Sequence, residues 1–261
     1  MTGSRLCKWS DFETPEYLDM LRELGRPFVA RRKWWEEVSI VQAIDDRVTH
    51  NADIVGCGFG VGLEPIPAMF AEWGIPTLAT DQAPSEEAKI WDNGQWCRGK
   101  EDLWQSWSTD RFERFVSFRT ADMRAIPADL GSFDFVWSSS SLEHLGSLEA
   151  GISFLVESCR LLKPGGIAAH TTEFNLTSND RTIDSGNVVI YRRRDLDALP
   201  DRLSAVGCTL DPIDYTLGDH EMDRLVDPMT DGKYDGKHVH LKLMLGEFAI
   251  TSLLLVIRKT A

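Results

Sequence analysis

The sequence predicts one α/β domain with a doubly wound, seven-stranded, mostly parallel sheet, N-terminal helices and an insertion that covers the substrate. Short apolar runs alternate with segments of helical spacing, which is typical of sheets built from strand–helix–strand units. The apolar pair Ile54–Val55 enters a loop with glycines at positions 56, 58, 60 and 62, and a helix is predicted from Pro65 to Trp73. A chain of 261 residues is large enough for one such domain with insertions and small for two.

The composition argues against several classes of function. The chain has 28 basic and 41 acidic residues, a net charge of −13, whereas binding along a nucleic-acid backbone relies on clustered Lys and Arg. The longest apolar run, Phe248–Ile257, is too short to span a bilayer core of roughly 30 Å. The N-terminus lacks the apolar core of a signal peptide, and the five cysteines form no Cys-x-x-Cys pair. We therefore expect a cytoplasmic protein without nucleic-acid or membrane partners.

Residues 1–50 are predicted to form a helical lead-in that precedes the main domain of residues 51–261. Thr14-Pro15-Glu16 is a typical helix start. A second helix is predicted over residues 29–46, and it carries Arg32 and Lys33. These two cations either lie on a solvated face above a packed tryptophan or contact a ligand.

The glycine loop predicts a cradle for a negatively charged or nucleoside ligand. Glycines let the backbone turn tightly and approach a ligand, and free N–H groups at a helix N-terminus favour anions. A dinucleotide fingerprint requires Gly-x-Gly-x-x-Gly. Counted from Gly56 the sixth position is Val61, and counted from Gly58 it is Leu63. The pattern is therefore Gly-x-Gly-x-Gly, which disfavours a dinucleotide cofactor.

A second predicted strand, Gly74–Asp81, ends in an acid. Asp81 lies 21 residues after Gly60, and its two oxygens can accept both hydroxyls of a ribose. The alternative is that Asp81 only caps a helix. The polar, tryptophan-rich segment at about residues 83–112 is longer than a usual crossover and is predicted to form a lid or a helix pair.

The alternation continues to the end of the chain. Further strands are predicted at Phe115–Met123, Ser132–Ser138, Ile167–Glu173, Thr209–Tyr215 and Phe248–Arg258. Helices are predicted at Ser147–Leu162, which ends in the turn Lys163–Gly166, and from Asp195, as a cap, to Val206. Insertions at about residues 174–191 and 216–245 are predicted to face the substrate.

These motifs, in this order, resemble those of the class I S-adenosylmethionine (SAM) methyltransferases. The resemblance covers roughly residues 50–175 well and rests on the Gly-x-Gly-x-Gly loop, the acid after strand two, an Asp-Met pair after strand three and Leu-Lys-Pro-Gly-Gly before strand five. It implies that Arg32 or Lys33 pairs with the methionine carboxylate of SAM. It also implies the following cofactor-binding residues: Gly56, Gly58, Gly60, Asp81, Gln82, Asp122, Met123 and Ser138.

The acceptor implied by this resemblance is a small molecule. Strand four lacks the Asn/Asp-Pro-Pro-Tyr tetrad of enzymes that methylate amino groups of DNA bases. Ser-Leu-Glu-His-Leu-Gly and His-Thr-Thr-Glu-Phe-Asn are instead similar to segments of bacterial methyltransferases that act on glycans and secondary metabolites. We therefore expect methylation of an oxygen or nitrogen atom of a sugar, a glycan precursor or a secondary metabolite.

Glu143 and His144 are the candidate reacting centre, because they directly follow strand four at the edge where ligands bind in such sheets. An imidazole titrates near physiological pH, so His144 is the leading proton acceptor. Alternatively, the pair resembles the Glu-His pair that helps hold a divalent metal in ubiquinone-pathway O-methyltransferases and small-RNA 3′-end methyltransferases. Those enzymes carry another Glu three positions earlier, where this chain has Ser140.

Three roles for the pair therefore stay open: a metal-free base, a metal site or structural hydrogen bonding. The tentative metal set is Glu143, His144, Glu173 and His240, with His170 and His238 as further candidates, and it suits Mg, Mn, Fe or Zn. Two other functions compete with methyl transfer. One is a NAD-type oxidoreductase, and the other is a regulator that binds SAM without turnover.

Overall fold

One mixed sheet runs through the protein, whose computed structural model describes residues 3–51, 53–83, 96–103, 109–228 and 239–260. Its strands are β1 (Arg5–Leu6), β2 (Gly56–Phe59), β3 (Thr77–Asp81), β4 (Val116–Thr120), β5 (Phe133–Ser139), β6 (Leu162–Asn175), β7 (Cys208–Leu210), β8 (Lys242–Leu245) and β9 (Phe248–Lys259). The α-helices are α1 (Trp9–Phe12), α2 (Pro15–Glu23), α3 (Arg32–Asp45), α4 (Ile66–Glu72), α5 (Thr109–Phe115), α6 (Leu148–Arg160), α7 (Arg193–Leu196), α8 (Leu199–Ser204) and α9 (Glu221–Arg224). Single 3₁₀ turns lie at Lys100–Leu103 and Leu142–His144.

The order of the strands is β1-β9-β6-β5-β2-β3-β4, and β7 and β8 also pair with β9. Strands β2 to β6 pair with one another in parallel, whereas β9 is antiparallel to every strand that it contacts, β6 included. The predicted α/β fold is therefore confirmed, with seven strands on the main path and two more beside β9. The chain runs from β2 outward to β4 and then returns to β5 on the other side of β2. The carboxyl ends of β2 and β5 thus flank the point where the strand order reverses, which is where ligands bind in open α/β sheets.

Helices cover both faces of the sheet, as expected for parallel strands. Alternation along β5 divides the core, because successive side chains of a strand point to opposite faces. Phe135 and Trp137 pack with α2, α3, α4 and α5 on one face, whereas Val136 packs with α6, α7 and α8 on the other. Among the described residues, no helix is both long and apolar enough to cross a membrane.

Two predicted helix starts are confirmed in detail. The Thr14 side chain accepts a hydrogen bond from the Tyr17 N–H at the start of α2, and the Ser147 side chain accepts one from the Ala150 N–H at the start of α6. Such caps satisfy N–H groups that have no partner inside the helix. The second N-terminal helix begins at Arg32, three residues later than predicted.

Two other local predictions differ in part from the structure. The Lys163–Gly166 segment lies within the span of β6, but its residues have no register partners in β5: Leu162 pairs with Phe133 and Ile167 with Phe135, so the chain bulges out of the sheet between them, with Gly165 at φ +76°. The predicted helix from Asp195 to Val206 is divided into α7 and α8. Pro200 is in the first turn of α8, where its missing N–H costs no hydrogen bond.

The predicted insertion at 174–191 is tied to the rest of the protein by backbone hydrogen bonds. The N–H groups of Gly186, Val189 and Tyr191 donate to the carbonyls of Gly146, Glu143 and Glu173, respectively. The insertion therefore packs over the ends of β5 and β6. Parts of the other two insertions, residues 84–95, 104–108 and 229–238 with His238, lie outside the described residues.

Candidate cofactor and acceptor site

The first two glycines of the predicted loop lie inside β2 rather than in a loop. A Cβ atom at Gly56 would lie 2.2 Å from the Phe135 ring, and one at Gly58 would lie 2.4 Å from the Trp137 ring. Both positions therefore need glycine because aromatic side chains of β5 press against the backbone. In these two residues, close packing explains the glycine pattern at least as well as a ligand does.

The turn after β2 begins at Gly60, where φ is +57°, a conformation that glycine adopts without strain. The Ser141 hydroxyl donates to the Gly60 carbonyl over 2.9 Å. A Cβ atom at Gly60 would lie 2.9 Å from Ser141 and 3.2 Å from the Met123 sulfur. Segments that follow β2, β4 and β5 thus meet at one glycine.

Asp81, at the end of β3, is held by the backbone around it. Its carboxylate accepts the N–H groups of Gln82 (2.8 Å), Gly62 (3.1 Å) and Cys97 (3.2 Å). Burial raises the pKa of Asp81, and the three backbone donors oppose that rise. Asp81 therefore connects the glycine turn to the segment that follows β3. A carboxylate has about four acceptor positions, and the three backbone N–H groups occupy two on Oδ2 and one on Oδ1, so one position on Oδ1 is left.

Asp122 and Met123 point in different directions. Asp122 is partly exposed and accepts hydrogen bonds from both the backbone and the guanidinium of Arg124, which hold the pKa of Asp122 below its ordinary value. Met123 is buried and its sulfur faces Gly60. Of the two residues, Met123 is the one that the structure brings to the glycine turn.

Ser138 and His170 lie in the core, which corrects the expectation that their side chains face the ligand edge. They are register partners on β5 and β6, and the Ser138 hydroxyl is 2.8 Å from His170 Nδ1. His170 Nε2 lies 3.3 Å from the hydroxyl of Ser158 on α6. Burial lowers the pKa of His170 to about 3, so the ring is neutral. Strand alternation places both side chains on the α6 face of the sheet.

The first turn of α3 carries a buried ion-pair network. Arg32 pairs with Glu173 of β6 (2.6 Å) and with Glu36 (3.3 Å). Lys33 pairs with Glu36 (3.3 Å) and donates to the Ser139 hydroxyl at the end of β5 (2.8 Å). Burial alone would raise the pKa of Glu36, but Lys33 and Arg32 lower it below its ordinary value. The predicted lead-in helix therefore contacts the carboxyl ends of β5 and β6.

Ser140 has φ +49°, in the left-handed region that residues other than glycine rarely adopt. Its hydroxyl donates to Glu36 Oε2 over 2.6 Å, and its N–H faces the Thr171 hydroxyl at 3.1 Å. These partners hold the strained backbone in place. Sequence reasoning missed the roles of Ser140 and Glu36. The spacing of Arg32 and Glu36, four residues apart on one helix, was the available signal.

Glu143 is 1% exposed, although it carries a carboxyl group. The Thr172 hydroxyl donates to its Oε2 over 3.1 Å. Burial, and secondly the charge of Glu173, raise the pKa of Glu143 to about 8. Glu143 is therefore protonated near neutral pH, unlike a carboxylate in water.

His144 follows directly and lies at the surface. Its Nδ1 is 2.9 Å from the Asn187 carbonyl. Because a carbonyl can only accept, Nδ1 carries the proton and Nε2 carries the lone pair of the neutral ring. The protein around the ring lowers the pKa of His144 by desolvation. This arrangement suits a proton acceptor whose orientation is set by the 174–191 insertion.

His240 is 6% exposed, and its Nδ1 lies 2.9 Å from Asp227 Oδ2. Its carbonyl accepts the N–H of Arg32, which places it beside the first turn of α3. Over the part of the chain that the structure describes, no group of three or more His, Cys, Asp and Glu side chains is arranged to hold a metal ion. Glu143, His144, Glu173 and His240 are thus not brought together as the tentative metal set requires.

Comparisons with known proteins agree with this layout. Residues 54–170 match the family described as "Methyltransferase domain". Among solved structures, the YcgJ protein from Bacillus subtilis aligns over 85% of this chain and 98% of that chain, with 14% identity and a TM-score of 0.50. The fold is therefore shared.

Two further structures are less similar. A TehB-like SAM-dependent methyltransferase from Corynebacterium glutamicum aligns over 97% of this chain and 98% of that chain, with 13% identity and a TM-score of 0.46. A protein described as a sarcosine dimethylglycine methyltransferase from Galdieria sulphuraria aligns over 67% of this chain and 60% of that chain, with 16% identity and a TM-score of 0.45. The sequence matches no curated protein.

Proposed function

We propose that this protein is a SAM-dependent methyltransferase that methylates an oxygen or nitrogen atom of a small molecule. The match of residues 54–170 to the family described as "Methyltransferase domain" supports this proposal. The observation that carries the proposal is the convergence at Gly60 of segments that follow β2, β4 and β5. They meet beside the reversal of strand order, where the fold places its ligand.

The residues present fit an adenosyl ligand. The Gly60 turn lets backbone atoms approach it closely, and Met123 offers a buried apolar side chain next to that turn. Asp81 has one acceptor position left on Oδ1 for a ribose hydroxyl. We therefore assign Asp81 to one ribose hydroxyl, rather than to the two that its position after strand two suggests.

SAM, when bound, supplies an activated methyl group, so the protein has to position the acceptor and remove its proton. His144 is placed for that proton transfer, since the Asn187 carbonyl fixes Nδ1–H and leaves the lone pair on Nε2. Glu143 and Glu173 line the same edge of the sheet. Metal assistance is not part of the proposal, because the four candidate ligands do not form a ligating group.

Val61 supports SAM over a dinucleotide as the ligand. It is buried, and its side chain would lie 2.6 Å from a Cβ atom at Gly58. The third glycine of a dinucleotide fingerprint is thus replaced by a packed side chain. A regulator without turnover would share the SAM site, so only product formation distinguishes it from an enzyme.

Calorimetry and product analysis test the proposal together. The protein should bind SAM and S-adenosylhomocysteine, and incubation with SAM and small-molecule acceptors should yield S-adenosylhomocysteine. Tight binding of NADH without binding of SAM would contradict the cofactor assignment. Binding of SAM without product from any acceptor would favour the regulator.

A further inference from the structure

Two carboxylate oxygens at the acceptor edge are buried without a hydrogen-bond partner among the described residues. They are Oε1 of Glu143 and Oε2 of Glu173. The other oxygen of each group is bound, by the Thr172 hydroxyl in Glu143 and by Arg32 in Glu173. A buried polar atom without a partner costs free energy, so such atoms point to a proton or a ligand that completes them.

The charges around this pair are not balanced. Arg32 and Lys33 supply two positive charges, whereas Glu36, Glu143 and Glu173 supply three negative charges when ionised. Two further glutamates near Lys33 do not change this count, because Glu37 is paired with Arg26 and burial raises the pKa of Glu64 to about 8, which keeps it protonated. Glu36 is fully engaged by both cations and by the hydroxyls of Ser140 and Ser252. The deficit of one positive charge therefore falls on Glu143 and Glu173, where burial raises the pKa of both carboxyls and a proton is retained near neutral pH.

The position of the pair assigns it to the acceptor rather than to SAM. The Gly60 turn and Asp81 follow β2 and β3, on one side of the reversal in strand order. Glu143 and Glu173 follow β5 and lie on β6, on the other side. The 174–191 insertion donates backbone N–H groups to the carbonyls of both residues, and Glu143 is 1% and Glu173 7% exposed, so the pair is buried beneath the insertion.

We propose, on the basis of the methyltransferase function proposed above, that the acceptor is a small molecule with an aliphatic amino group, which is bound as an ammonium ion between Glu143 and Glu173. An ammonium group brings the one missing positive charge and has enough N–H donors for both unpartnered oxygens. A hydroxyl group has a single donor and no charge, so it leaves one oxygen without a partner.

The protons of the reaction balance as follows. Binding of the ammonium ion displaces the retained proton from the carboxyl pair to solvent, and Nε2 of His144, the proposed base, takes one proton from the ammonium group and so frees the nitrogen lone pair. The N–C bond to the methyl group forms as the C–S bond of the donor breaks, and sulfur keeps the bonding electrons. The product is a methylated ammonium ion; when it leaves, the carboxyl pair takes up a proton and His144 releases one, so that one proton is released per turnover.

The atom that receives the labelled methyl group tests this inference. The protein is incubated with methyl-labelled SAM and a mixture of matched pairs, such as cyclohexylamine with cyclohexanol and glucosamine with glucose, together with a protein-free metabolite extract. Labelled products are then separated from SAM by chromatography, and the methylated atom of each is identified by mass spectrometry. We expect label on nitrogen, and we expect Glu173→Gln to lower that label about 10- to 100-fold, the usual effect of losing a hydrogen bond to a charged group. Glu157→Gln, an exposed glutamate paired with Arg160, is the matched control and should retain turnover.

Each result decides between the two proposals. Label found only on oxygen would overturn the amine inference and leave the methyltransferase function standing, whereas no labelled product at all would overturn both. SAM affinity is measured for Glu173→Gln in parallel and should stay within threefold of wild type. If SAM affinity fell together with turnover, the pair would serve the cofactor, and the inference would be wrong.

Discussion

Asp81→Asn is the substitution that most directly tests how the cofactor is held. The carboxylate accepts three backbone N–H groups and has one acceptor position left for a ribose hydroxyl. Asparagine has nearly the same shape but only one oxygen. Its amide NH₂ group would therefore face backbone N–H donors whose hydrogen bonds the second carboxylate oxygen accepts in wild type. The substitution therefore removes the charge and one acceptor oxygen without opening a large cavity.

The magnitude follows from these bonds. A hydrogen bond to a charged group contributes about 1.5–3 kcal/mol, and 1.4 kcal/mol corresponds to a tenfold change in Kd. Loss of the ribose bond should therefore weaken SAM binding roughly 10- to 100-fold. A buried backbone N–H that the substitution leaves without an acceptor would additionally cost about 1–3 kcal/mol of folding stability.

Titration calorimetry with SAM and S-adenosylhomocysteine measures the first effect, and urea unfolding measures the second. Asp129→Asn is the matched control, because Asp129 is an exposed aspartate that pairs with Arg119 on β4. It should bind SAM within twofold of wild type. A folded Asp81→Asn protein with unchanged SAM affinity would refute the assignment of Asp81 to the ribose.

Three further predictions address the base, the buried charge and the packing glycines. His144→Gln should lower the rate of turnover roughly 10²–10⁴-fold. In wild type, kcat/KM should reach its plateau below the pH at which an ordinary imidazole loses its proton, because the pKa of His144 is lowered. A chelator should leave turnover unchanged. Glu64 is buried and accepts a hydrogen bond from the Trp137 ring N–H. Burial raises the pKa of Glu64 from 4.5 to about 8, so between these values the folded chain keeps a proton that the unfolded chain has released, and stability falls as pH rises. Glu64→Gln should remove this dependence in urea unfolding, with a gain of up to about 5 kcal/mol at pH 8 and almost none at pH 4. Gly56→Ala should lower stability by about 1–3 kcal/mol or more in the same assay, because its Cβ would overlap the Phe135 ring; an unchanged midpoint would contradict the packing role.

The order of elements could be predicted from sequence because each depends on local signals. Apolar runs predicted the bounds of β3, β5 and β9 to within a few residues, and the capping residues Thr14 and Ser147 predicted where α2 and α6 begin. The Lys163–Gly166 segment was predicted as a turn because glycine and proline favour turns, and it forms a bulge within the span of β6, between Leu162 and Ile167, which pair with β5. Strand β8 was missed, since its hairpin with β9 depends on tertiary pairing as well as on Gly246.

The acceptor side of the site was less predictable than the cofactor side. The glycine pattern and Asp81 are close in sequence to the strands that position them, so their convergence follows from topology. The network of Arg32, Glu36 and Glu173 joins residues that are more than 100 positions apart. Whether a strand residue such as His170 faces the ligand or the core depends on register, and a shift of one residue reverses the answer.

Buried charge and backbone strain lie mainly on the proposed acceptor side of the strand reversal, and in this respect the acceptor half of the site differs from the cofactor half. The cofactor half is built from backbone groups, packed glycines and one acid that the backbone satisfies. The acceptor half holds a serine at φ +49° and two carboxyls with unpartnered oxygens, features that lower stability unless a ligand uses them. Under the proposed function the cofactor half has the same task whatever the acceptor, so we expect discrimination among acceptors to reside in Glu143, Glu173 and the insertion that covers them.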